Sequence, residues 1–156
     1  MKVQLYFKQN KHTVDGSLTV AVRDLEGKVI EEQSIRNVVA RSGAPGWAGT
    51  QGVRGKSPIP DGKYILWNRK RWIMQYNDLD ATGREIGRFY PISDNPTNRH
   101  IISHPTGVRK YIGLHDENDF RGSAGCVVVV NNAQFRRICK LLEKYPGKLD
   151  LFVWTV

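Results

Sequence analysis

Cysteine is scarce in this chain: Cys126 and Cys139 are the only two in 156 residues. Two thiols make no disulfide framework, and without a CxxC pair there is no zinc-ribbon spacing. No apolar run approaches the ~18 residues that a membrane-spanning helix needs. Internal repeats, low-complexity tracts and a clear interdomain linker are absent too, and the length points to one domain over residues 1–156; the chain is expected to be a monomer. The opening "MKVQLYFKQNKHTVDG" has neither an apolar h-region nor a small-residue cleavage site, so no secretory signal is expected. The expected chain is made in the cytoplasm, already processed, or exported by another route. Acidic residues are also in deficit, 15 against 24 Lys and Arg, a formal net charge of +9. That excess suits an anionic environment: nucleic acid, a membrane surface or an anionic cell wall.

What is present reads as mostly β structure. "KVQLYFK" and "SLTVAVRD" alternate or run β-branched, and Glu26-Gly27 marks a hairpin turn before a further strand in "KVIEEQSI". The glycine- and proline-rich "ARSGAPGWAGTQGVRGKSPIPDG" is too broken for regular structure, and a loop of that length in a compact domain is commonly functional. "KYILW", "RKRWIMQY", "EIGRFYPI", "HIISH" and "RKYIGLH" predict more strands, the last ending at His115. "GCVVVV" has no polar face and belongs in the middle of a sheet, covered on both sides. Phe135, Ile138, Leu142 and Tyr145 recur at helical spacing, which predicts a helix from about Asn132 to Tyr145, stopped by Pro146-Gly147. Cys139 falls on its apolar face as a small core residue. "LDLFVWTV" closes the chain as a strand.

Cys126 has a different neighbourhood. A catalytic thiol needs a base or a positive field, an imidazole within reach, and backbone N–H groups where an oxyanion forms. His115 ends one strand and Cys126 opens another, so neighbouring strands would bring the imidazole to the thiol. Gly122 and Gly125 permit backbone conformations closed to other residues. The residues alone leave a buried structural cysteine beside a surface histidine as an equal reading.

"IGLH…GSAGCVVV", followed by a helix and a closing apolar strand, resembles the catalytic segment of the L,D-transpeptidase (YkuD-like) superfamily. Upstream, "GKSPIPDGKYILW" is similar to that family's TPTGxY turn and strand, and the likeness runs from about Gly43 to Val156. The resemblance implies an L,D-transpeptidase-like β-sandwich, mostly β with one helix near the C-terminus. It implies Cys126 as nucleophile and His115 as general base. Ser123, Ala124 and Gly125 would shape the turn and the oxyanion hole. It further implies peptidoglycan stem peptides as substrate, a thioester acyl-enzyme, no cofactor, and action at the bacterial cell wall. Two positions depart from the family pattern: Ala124 replaces a second histidine and Val128 replaces an arginine. Such variants resemble phage-encoded and secreted wall-degrading members, and phage lysis or a dedicated secretion route would bring a chain without a signal to the wall. Arg121, Arg109 and Arg99 are the candidates to take over from the missing arginine.

Further candidates follow from position. His104 lies near the start of the strand that delivers His115. Tyr111, four residues before His115, would share its face on an extended strand. Asp116 would face the opposite way, Asn118 would order the loop, and Arg121 and Trp47 are candidates for substrate contact. No third ligand stands at metal-binding spacing from His100 and His104, so no metal is expected. The basic residues are dispersed and no RNP, KH or zinc pattern occurs, so nucleic acid is not the expected partner. Besides an enzyme, a non-catalytic wall-binding or phage structural protein on the same fold fits the same residues.

Overall fold

The structure, a computed structural model, describes residues 1–44, 46–49, 57–75, 88–104, 107–117 and 125–156, with the side chains of Gln75 and His104 left aside. It is mostly β with a single α-helix among the described residues. The strands in chain order are β1 (Lys2–Gln9), β2 (Asp15–Arg23), β3 (Ile35–Arg41), β4 (Gly62–Asn68), β5 (Met74–Gln75) and β6 (Arg88–Ser93). They continue with β7 (Ile101–His104), β8 (Gly107–Lys110), β9 (Gly113–Asp116), β10 (Val127–Val129) and, after helix α1 (Asn132–Leu142), β11 (Gly147–Thr155).

Eight of these form a ring. The order β4-β11-β1-β2-β3-β10-β9-β6 is closed by pairing of β6 back onto β4, with Ile65 opposite Ser93 and Leu66 opposite Ile92. The expected β-sandwich is therefore corrected to a closed barrel. A closed wall leaves those eight strands without a free edge. Strand alternation fills the interior: Leu5 and Phe7 of β1, Leu18 and Val20 of β2, Leu66 of β4 and Val129 of β10 are all fully buried in one core. Helix α1 adds Phe135, Ile138, Cys139 and Leu142 to that core, so Cys139 is the small core residue its spacing predicted. Asn131 caps the helix by accepting a hydrogen bond from the Gln134 N–H at 2.9 Å. At the other end Asn68 Nδ2 donates to the carbonyls of Leu142 and Tyr145, each at 2.8 Å, tying β4 to the helix.

Three expected strands take other forms. After β2, Asp24 Oδ1 accepts from the N–H groups of Glu26 and Lys28, folding residues 24–28 into a tight turn. Among the described residues only the Arg23–Val29 bridge follows it, and Glu31–Gln33 form a 3-10 turn in place of a strand. Within "RKRWIMQY", the described residues 69–75 hold only β5 as strand, because Trp72 and Ile73 donate back to the Arg69 carbonyl as a turn, and Tyr76 lies outside the described residues. "RKYIGLH" divides into β8 and β9, because Tyr111 between them takes a positive φ of 58°. That division makes β7 and β8 a separate hairpin, paired with each other rather than with the barrel.

Candidate functional site

β9 and β10 are parallel neighbours in the wall, with Leu114 opposite Val127 and His115 opposite Val128. One step earlier in this register, Cys126 stands beside Gly113. Leu114, Val127 and Val129 point into the barrel core. Alternation therefore turns Cys126, Val128, Gly113 and His115 to the outer face. Diagonal neighbours of this kind have Cα atoms about 7–8 Å apart, a gap that an imidazole side chain can span. Phe89 of β6 covers the same face: it forms a small buried cluster with Cys126 and Val128, and its ring stacks on His115 at 5.7 Å between centroids. Gly113 makes room for that ring, since a β-carbon there would overlap it. The valine run is thus covered on both sides, as its composition predicted.

His115 Nδ1 lies 2.7 Å from the Asp116 carbonyl oxygen. A carbonyl only accepts, so Nδ1 carries the proton and Nε2 is left with a free lone pair. Burial under Phe89 holds the imidazole below its ordinary pKa, against the smaller pull of Asp116. Asp116 itself is buried, and strand alternation puts its side chain on the opposite face from the imidazole; burial raises its pKa, while the nearby charges of His115 and of Arg136 on α1 pull it down. The backbone carbonyl, not a carboxylate side chain, sets the histidine tautomer.

The Cys126 residue is 9 % exposed. Its thiol donates to the Tyr111 carbonyl at 3.8 Å. Burial raises the thiol pKa above its ordinary value, and a backbone hydrogen bond from Gly113 pulls the other way. The resting pair at neutral pH is a thiol and a neutral imidazole.

Gly125, one of the turn residues, has φ of 111°, a conformation that L side chains rarely adopt. Its carbonyl accepts from Ser42 Oγ at 3.1 Å, and the same hydroxyl accepts from the Ile59 N–H at 2.8 Å. Residues 57–60 are buried against this point, with Arg109 Nη1 donating to the carbonyls of Ser57 (2.9 Å) and Pro58 (2.8 Å) and Gln9 Nε2 to that of Ile59 (2.7 Å). Part of the long loop is therefore a buried brace under the residue that precedes the thiol. Ser42, Phe89 and Gln9 escaped sequence reasoning. Each is separated from the thiol or the brace by tens of residues, and none falls in a motif.

The remaining expected residues divide. Tyr111 supplies the backbone carbonyl that accepts from the thiol, but its side chain does not share a strand face with His115: its positive φ ends the extended run, and its 61 % exposed ring tilts against His100. Val128 is packed with Phe89 and Cys126, so this position on the outer face is apolar. Trp47 is half-buried after β3, its N–H donating to the Ala44 carbonyl. Asn118, Arg121, Ser123 and Ala124, and the side chain of His104, lie outside the described residues. Among the described residues no three metal-ligating side chains converge, and no helix is long and apolar enough to cross a membrane.

No family model and no curated protein matches the chain. Among solved structures it is similar to an L,D-transpeptidase from Mycobacterium smegmatis, with a TM-score of 0.44 and 11% identity over 97% of this chain and 59% of that one. Mycobacterium tuberculosis L,D-transpeptidase 1 gives a TM-score of 0.44 and 11% identity, covering 99% of this chain and 63% of that one. L,D-transpeptidase 3 from the same organism gives 0.41 and 11% over 97% and 61%. The chain spans about three-fifths of the length of these structures.

Proposed function

We propose that this chain is a cysteine acyl-transfer enzyme that acts on L,D bonds of peptidoglycan stem peptides, working at the cell wall as a monomer and without a cofactor. The observation that carries the reading is the His115 tautomer. An imidazole fixed by the adjacent Asp116 carbonyl, with Nε2 as acceptor on the face that bears Cys126, is the arrangement that a thiol nucleophile needs. In the reaction Nε2 takes the thiol proton as sulfur attacks the substrate carbonyl. The imidazolium then gives that proton to the departing amine, leaving a thioester on Cys126. Water resolves the thioester to a free acid, or a second stem's amine resolves it to a cross-link, and either acceptor returns its proton through His115. The turn around Gly125 would present backbone N–H groups to the oxyanion.

Mass spectrometry of purified peptidoglycan incubated with the wild type and with Cys126→Ala tests this. New muropeptides with the wild type alone support the enzyme, and their masses distinguish cleavage from cross-linking. An unchanged digest defeats it. One observation favours a second reading, a non-catalytic wall-binding protein: Cys126 is largely buried and its thiol is held in the neutral form. Retention of the chain on insoluble peptidoglycan with no new muropeptides would establish that alternative.

A further inference from the structure

Arg109 sits in β8, 4 % exposed. A side chain of that charge is almost never buried unless it is paired. Here its Nη1 has two neutral partners, the Ser57 and Pro58 carbonyls. Its Nη2 is buried and finds no hydrogen-bond partner among the described residues. No ion pair among the described residues includes it. The group lies against the nucleophile's turn: a β-carbon on Gly125 would come 2.7 Å from Nη1. Burial works against its charge. A guanidinium loses its proton only at very high pH, so it stays a cation with one edge unsatisfied.

We propose that Arg109 is an anion-recognition residue beside Cys126, whose Nη2 edge takes a carboxylate carried by the acylating ligand. A carboxylate supplies both things the buried group lacks, a counter-charge and an acceptor, in one step. Val128 leaves the strand position next to His115 without charge, so the cation reaches the site from the hairpin instead. Among the described residues that hairpin pairs with no barrel strand, so it can adjust to a ligand without breaking a ladder of the wall. The assignment rests on Cys126 being the reactive thiol, and it narrows the substrate to peptides bearing a free carboxylate near the attacked carbonyl.

The test compares alkylation of Cys126 by iodoacetate, which carries a carboxylate, with alkylation by neutral iodoacetamide, both followed by peptide mapping. Relative to mercaptoethanol, the iodoacetate-to-iodoacetamide rate ratio is expected to rise at least 10-fold, and to fall as salt screens the attraction. Arg109→Gln should abolish the preference and Arg109→Lys should keep part of it. Should Arg109→Gln fail to fold, the wild-type ratio and its salt dependence still decide. A wild-type ratio equal to that of mercaptoethanol overturns the proposal, as does a preference that survives in Arg109→Gln. Failure of both reagents to reach Cys126 in the native protein overturns it as well, since a site closed to iodoacetate admits no carboxylate. The muropeptide assay on the wild type decides the peptidoglycan reading separately.

Discussion

His115 and Cys126 are shifted in opposite directions by the same burial, and that fixes how the pair behaves with pH. The imidazole is held below 6.5 and the thiol above 9.0, so across neutral pH both are uncharged. Iodoacetamide trapping of Cys126 should therefore climb on the alkaline side of pH 9, with no inflection between pH 6 and 7. A plateau of reactivity from pH 6 upward would mean a resting thiolate–imidazolium pair. The stability consequences follow by linkage. With its folded pKa lowered, His115 contributes stability that is full above pH 6.5 and lost as pH falls through the folded value. With its folded pKa raised, Cys126 contributes stability that is full below pH 9.0 and lost as pH rises. Thermal melts of His115→Gln and Cys126→Ala against the wild type should thus converge at acid and alkaline pH respectively. Gly125 presents a steric version of the same site. Gly125→Ala forces a side chain into a positive-φ position and against Arg109, and should cost about 1–3 kcal/mol in urea unfolding.

At the scale of the element, the pair of parallel strands is where sequence and structure agree most closely. An apolar run with no polar face had to be a covered strand, and its neighbour had to end near the thiol. The covered strand was legible from short-range pattern; that its neighbour carries His115 was a condition the pattern left open, and the pairing of β9 with β10 meets it. Tyr111 was not legible, because a left-handed residue between two β-like runs leaves no mark on hydrophobic periodicity. Arg109 was visible only as one of three arginines. Its placement depends on carbonyls 51 and 52 residues away, which no local pattern encodes. The Val128 position shows why a charged side chain does not fit beside the thiol. Its side chain is 6 % exposed and packs with Phe89 and Cys126. Val128→Arg would place an uncompensated cation there, and is expected to cost on the order of 3–5 kcal/mol. Differential scanning calorimetry would show it, and a melt within a degree of the wild type would mean that the face opens to admit the charge.

For the whole molecule, the step that sequence could not supply is closure. Eight strands of suitable pattern serve a sandwich or a barrel equally well, and the difference lies in whether β6 returns to β4. The seam between them is short, two residue pairs, as are those of β3 with β10 and β6 with β9, against six registered pairs for β1 with β11 and seven for β4 with β11. A short seam needs other fastenings. One is the buried hydrogen bond across it, from Trp67 Nε1 to Ser93 Oγ at 2.9 Å, with Trp67 also packed edge-on to Trp72. Ser93→Ala removes the acceptor and leaves the indole N–H buried without it, which should cost about 1–3 kcal/mol. The seam also bears on the site, because β6 carries Phe89 four residues before Ser93. A loosened seam should release Phe89 from His115 as well as weaken the barrel. Hydrogen exchange on Ser93→Ala tests the connection: amides of β4, β6 and β9 should gain exchange together, while the β1–β2 ladder on the far side of the ring stays protected. Uniform acceleration around the ring would show instead that the barrel opens only as a single unit, with the seam no weaker than the rest.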